Sequence, residues 1–108
     1  IITCTRKNIV DLVNKGLFRE DLYYRLNVVP IKLPPLKNRL EDILELSIYF
    51  LKNNQNINGN KKSISYDGMS LLKQYLWPGN IREFKNVIDR SCLLSSSDEI
   101  SSRLISDI

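Results

Sequence analysis

The sequence predicts a mainly α-helical chain: a short α/β piece with two short strands and short helices, followed by a helical bundle. Three observations predict it. β-rich runs open the chain at Ile1-Ile2-Thr3-Cys4-Thr5 and recur at Val28-Val29-Pro30-Ile31-Lys32-Leu33. Pro34-Pro35 then makes a stiff extended joint that ends the second run. Beyond the joint, apolar residues recur at helical spacing, and matched stripes joined by short turns make a small bundle.

The opening run reads as a half-buried strand with no turn or cap before it. A lone strand satisfies neither its backbone nor its faces, so sheet partners are expected upstream and the chain reads as the C-terminal part of something larger. Asn8 caps a short helix over residues 9–15, stopped by Gly16. A second short helix covers residues 18–26 and carries Arg19, Glu20, Asp21 and Arg25. Pro30 argues that the second strand lies at a sheet edge or that its pairing begins late.

Asn38, with Glu41 three residues on, is expected to cap a helix of about 15 residues. Leu40, Ile43, Leu44, Ile48 and Leu51 form its apolar stripe. Residues 53–63 read as an Asn/Lys-rich mobile loop. Ser65 caps the next helix, on which Met69, Leu72, Tyr75 and Leu76 share a face. The last long helix covers residues 81–94, and Ser95-Ser96-Ser97 ends it. Residues 98–108 read as a tail with one frayed turn. The organisation is thus an α/β piece over 1–35, a bundle over 36–97 and a tail over 98–108.

Composition removes several functions. There is no histidine, and Cys4 and Cys92 lack metal-ligand spacing, so a zinc site and a His-based catalytic group are excluded. Two unrelated cysteines fit a reducing cytoplasm. No apolar run approaches the roughly 20 residues of a membrane span, and no membrane partner is expected. The net charge of +4 comes from scattered lysines and arginines, which suits a solvated surface better than a nucleic-acid footprint.

The stretch Leu76-Trp77-Pro78-Gly79-Asn80-Ile81-Arg82-Glu83-Phe84 is the most informative. Pro78 stops one helix, Gly79 frees the turn, and Asn80 with Glu83 offers an N-cap and capping box for the next. Ile81, Phe84, Val87 and Ile88 face a core, which turns Arg82 away from it. A cation at a helix start opposes the macrodipole, at a cost of a few tenths to roughly 1 kcal/mol. Arg82 is therefore either a solvated surface residue or the holder of a phosphate or carboxylate.

Three blocks of the chain resemble one family. Residues 16–31 (Gly16-Leu17-Phe18-Arg19-Glu20-Asp21-Leu22-Tyr23-Tyr24-Arg25-Leu26-Asn27-Val28 and beyond) are similar to its G-x-F-R-x-D-L-Y-Y-R-L-N-V block. Leu33-Pro34-Pro35-Leu36-Lys37-Asn38-Arg39, with Glu41-Asp42-Ile43, resembles L-P-P-L-R-x-R-x-x-D-I. Trp77-Pro78-Gly79-Asn80-Ile81-Arg82-Glu83-Phe84 resembles W-P-G-N-V-R-E-L. The family is the sigma-54-dependent transcriptional activators, bacterial enhancer-binding AAA+ ATPases. The resemblance covers residues 1–95 and implies the end of an AAA+ α/β subdomain followed by its helical lid.

The resemblance implies roles residue by residue. Arg19 and Arg25 match two arginines that reach the neighbouring subunit's ATP in trans; without it, both would simply pair with Glu20 and Asp21. Arg82 matches the sensor II arginine, which contacts nucleotide in its own subunit. Arg39 and Ile43 match the region bordering the adenine, although Ile43 equally fits the core stripe. Trp77 reads as core packing. Thr5 and Arg6 occupy the sensor I position, where the family has a neutral Asn or His in place of Arg6. A long cation there is expected to position the attacking water poorly.

For the complete protein the resemblance implies ATP and Mg²⁺ as cofactors. It also implies a hexamer-like homo-oligomeric ring, with sigma-54 RNA polymerase and enhancer DNA as partners. The chain itself contains no phosphate loop, acidic metal-binding motif or sigma-contacting G-A-F-T-G-A loop. Alone it is expected to bind no cofactor and to hydrolyse nothing. Two other readings compete: a degenerate AAA+ regulatory or structural module without hydrolysis, kept open by Arg6, and a helical DNA-binding module. The latter lacks a recognition-helix pattern.

Overall fold

The computed structural model describes residues 1–108, which divide into two units, Ile1–Leu33 and Pro34–Ile108. The chain is mainly helical, with one pair of short strands.

In the first unit, α1 (Ile9–Asn14) begins where Asn8 Oδ1 accepts from the Asp11 N–H at 3.3 Å, the expected cap. Helix α2 (Glu20–Leu26) starts two residues later than predicted, with Arg19 at its N-cap position and no side-chain cap. No residue of this unit is buried. Neither predicted strand forms: residues 1–5 and 28–33 pair with nothing, and Val28, Val29, Ile31 and Leu33 are almost fully exposed. β-propensity describes a fit to a pleated, half-buried surface, and without a ladder partner these runs have none.

The second unit holds the core. A 3₁₀ turn at Leu36–Asn38 precedes α3 (Asp42–Asn58). Asn38 and Glu41 do not cap this helix; Glu41 occupies the N-cap position without a side-chain bond, and Asp42 pairs instead with Arg39 at 2.9 Å. The helix also runs further than expected, to Gly59, whose φ of +76° closes it in the left-handed conformation. Only residues beyond that glycine remain as loop.

The buried face of α3 differs from the predicted stripe. Ile43, Ser47 and Phe50 are buried, with Leu46 and Leu51 packed alongside, whereas Leu40, Leu44 and Ile48 are exposed. Ser47 makes this possible by donating its hydroxyl to Ile43 O at 2.7 Å, so a polar side chain sits on the core face fully satisfied.

Helix α4 (Tyr66–Gln74) begins at Ser65, whose Oγ accepts from the Gly68 N–H at 3.0 Å. Replacing Ser65 with alanine should cost about 1 kcal/mol of unfolding free energy, and with glycine only a few tenths. Urea denaturation measures both; no loss in either variant would show that the cap bond contributes nothing. Leu72 is buried, but the helix stops before Tyr75 and Leu76, both of which are exposed.

Helix α5 (Asn80–Leu94) matches its prediction closely and buries Phe84, Ile88, Ser91 and Cys92. Ile81 lies outside this set, 37% exposed. Burial among these residues raises the Cys92 thiol pKa, reinforced by the Asp89 carboxylate.

Residues 98–108 are not a frayed tail. Glu99–Ile100 (β2) pairs parallel with Ser63–Ile64 (β1), and α6 (Ser102–Ser106) packs on α4. Ile100 and Ile105 are both buried in the core. Lys62 fixes the approach by donating to Ser95 O at 3.1 Å and Ser97 O at 2.6 Å. These strands are two residues long and carry no readable alternation.

Candidate functional site

The turn from α4 into α5 is built around Trp77. Its indole N–H donates to Leu72 O at 2.8 Å, and its ring meets Tyr75 and Phe84 edge-on, each at 4.9 Å. These anchors hold Trp77 at φ +52°, a left-handed conformation unfavourable for a bulky residue. Trp77 is 3% exposed, the packing role expected of it.

Gly79 has φ −86°, so the turn does not use its conformational freedom. It is needed because a Cβ there would lie 2.6 Å from Glu83 Cβ. Asn80 is not the N-cap. It adopts φ +53°, and its Oδ1 accepts from the Leu36 N–H at 2.9 Å. The capping box is absent too: no side chain caps α5, and Glu83 leaves Oε1 buried without a partner.

Arg82 is exposed in the first turn of α5 and makes no ion pair. It lines an open groove of about 800 Å³ whose walls also include Trp77, Glu83, Asn86, Arg90 and Ile105. Arg82, Asn86 and Arg90 recur every four residues, so α5 presents one polar row along the groove. Two guanidiniums beside aromatic and aliphatic walls suit an anion with an apolar body.

Arg39 and Ile43 do not line this groove. Arg39 is held by Asp42, and Ile43 is fully buried, so its side chain offers no surface to a ligand. Its place in the core stripe accounts for it.

In the first unit, Arg19 sets Nε and Nη2 against the two Asp21 carboxylate oxygens at 3.1 and 2.7 Å. This pair is almost fully in solvent, with side chains 79% and 68% exposed. Arg25 is exposed in the last turn of α2 and has no ion pair. Thr5 Oγ1 accepts from the Lys7 N–H at 3.1 Å, and Arg6 is exposed beside it. No group of acidic, cysteine or histidine side chains could hold a metal ion.

Residues 37–107 match the AAA+ ATPase lid domain, and residues 1–32 match the sigma-54 interaction domain. The chain is 48% identical over 103 residues to the nitrogen fixation protein AnfA of Azotobacter vinelandii, covering 94% of this chain and 19% of that protein. The chain belongs to the AAA+ module of the sigma-54-dependent transcriptional activators. The DNA-binding transcriptional regulator NtrC of Rhizobium meliloti is 42% identical over 105 residues, covering 97% of this chain and 22% of NtrC. The activator module here thus spans about a fifth of the length of these relatives.

NtrX of Brucella abortus, solved in complex with ATP, superposes with a TM-score of 0.83 at 35% identity. Its ADP complex superposes with a TM-score of 0.80, covering 93% of this chain and 24% of that one. The AAA+ subdomain-plus-lid reading therefore stands. The helical DNA-binding module does not gain support from any of these likenesses. No helix is long and apolar enough to cross a membrane.

Proposed function

We propose that this chain supplies the nucleotide-sensing lid and the trans-acting arginines of an ATPase that remodels a sigma-54 RNA polymerase promoter complex. The observation that carries the reading is Arg82, free of ion pairs on the wall of a groove that also contains Arg90. In this reading Arg82 binds a phosphate oxygen of the nucleotide in its own subunit, whereas Arg39, held by Asp42 and outside the groove wall, gains no support as a neighbour of the base. Bidentate charge-assisted bonds from a guanidinium would tie the lid to the phosphate state.

Arg19 and Arg25 serve the neighbouring subunit's site. An arginine placed there neutralises charge on the transferred phosphoryl group, so hydrolysis requires assembly into a homo-oligomeric, hexamer-like ring. Mg²⁺, the phosphate loop and the sigma-contacting loop come from outside these residues, as does any contact with enhancer DNA. A soluble cytoplasmic setting fits the reading.

Arg6 supports a second reading, an AAA+ module that binds nucleotide without hydrolysing it. Thr5 can hydrogen-bond a water, but a guanidinium beside it competes for the γ-phosphate rather than orienting the nucleophile.

Phosphate release by the complete protein separates the two. The 108-residue chain alone should show no Mg²⁺-dependent turnover, because phosphoryl transfer needs the cradle and the metal ligands. The complete protein should hydrolyse ATP, and Arg82→Ala should blunt its response to nucleotide. Tight binding without turnover would favour the second reading. Turnover by the 108 residues, or no nucleotide binding by the complete protein, would refute both.

A further inference from the structure

We propose that Asn80 is a positioning residue that couples the turn carrying Arg82 to the segment through which the chain enters the lid. Pro34 and Pro35 have no backbone N–H, so the Leu36 amide is the first donor after Leu33. That amide is the one group of the joint that hydrogen-bonds beyond its own turn, and its acceptor is Asn80 Oδ1, 44 residues away. Leu36 itself is 1% exposed, so the donor end of the bond is shielded although Asn80 is exposed.

The Asn80 end is equally constrained. Its N–H donates to Trp77 O at 2.8 Å, and Trp77 is locked by its indole bond and two aromatic contacts. Its φ of +53° lies where asparagine is among the few tolerated non-glycine residues. Arg82 follows two residues later on the same turn. A phosphate that draws Arg82 must move that turn, and the Asn80 carboxamide passes the displacement to Leu36 and the Pro34-Pro35 joint. The coupling rests on Arg82 contacting nucleotide.

The test uses the complete protein. In the wild type, exchange of the Leu36 amide should differ by about 5-fold or more between ADP and a non-hydrolysable ATP analogue, the low end of allosteric coupling. A fluorophore at Lys37→Cys, in a Cys4→Ser background with buried Cys92 left in place, reports the same change. Asn80→Gly keeps the backbone conformation and deletes the acceptor. It should leave nucleotide affinity unchanged but abolish the fluorescence difference, whereas Asn80→Asp, which keeps an acceptor oxygen, should retain it. Loss of the difference in Asn80→Asp would overturn the proposal. A difference that vanishes in Arg82→Ala yet persists in Asn80→Gly overturns the coupling alone. A difference that persists in Arg82→Ala overturns the nucleotide reading and the coupling with it. An equal Leu36 exchange rate in both nucleotide states of the wild type, which no variant can confound, also overturns the coupling.

Discussion

If the complete protein is the ATPase proposed above, replacing Arg25 with alanine should lower its turnover by on the order of 10³-fold or more, and replacing Arg19 should do the same. The two start from different situations. Arg25 is exposed and unpaired in the last turn of α2, where a cation also complements the helix dipole. Arg19 is engaged by Asp21 through two bonds, which would argue for a structural role if the pair were buried. It is not buried. An exposed pair of this kind is worth about 0–1 kcal/mol, so releasing Arg19 to a phosphate costs little beside the roughly 4 kcal/mol that a 10³-fold rate loss represents. Neither substitution removes a buried contact, so both variants should fold and bind ATP normally. Unfolding in urea and nucleotide titration check that expectation. A loss of stability parallel to the loss of turnover would assign these arginines to the fold.

Phe84→Ala should be the most destabilising single change in the lid, at about 3–5 kcal/mol. Phe84 is fully buried, and its ring touches both Trp77 and Phe50, so its removal opens a cavity between α5, α3 and the Trp77 turn. A unit of this size shifts its melting temperature by roughly 4–8 °C per kcal/mol. The variant should therefore melt far below the wild type, or fail to fold at moderate temperature. Calorimetry of the lid unit reads the change directly. A loss below about 1 kcal/mol would mean that the core relaxes around the gap and that Trp77 holds its turn unaided.

Local signals in this sequence are legible at several positions where a single side chain decides a backbone event. Asn8 and Ser65 cap as read, and Pro34-Pro35 breaks the chain. Arg82 faces outward because Phe84 and Ile88 face inward. Some failures come from partners far away in sequence. Asn80 looks like an N-cap, yet its carboxamide answers an amide 44 residues earlier.

Apolar spacing misplaces the core face of α3 because Ser47 satisfies its hydroxyl on the preceding turn and then packs as a small core residue, as Ser91 does on α5. Counting apolar side chains gives those positions no weight. Asn86 and Arg90 were missed as groove residues, although both follow from Arg82 at four-residue steps. The strands at Ser63–Ile64 and Glu99–Ile100 are too short for any pattern; only the fold reveals that Lys62 bridges to Ser95 and Ser97.

The proposed action of Arg19 and Arg25 on a neighbouring subunit has a distinctive consequence in mixed assemblies. Mixing tests it most directly. Complete protein bearing Arg25→Ala is combined in increasing ratio with complete protein disabled in its phosphate loop, and ATP turnover is followed. Neither variant should hydrolyse ATP alone. If Arg25 acts in trans, some interfaces of a mixed ring pair an intact phosphate loop with an intact arginine, and turnover should rise to a maximum at intermediate ratio. If Arg25 acts only within its own subunit, the mixture should stay as inactive as its components at every ratio, and the account would be wrong.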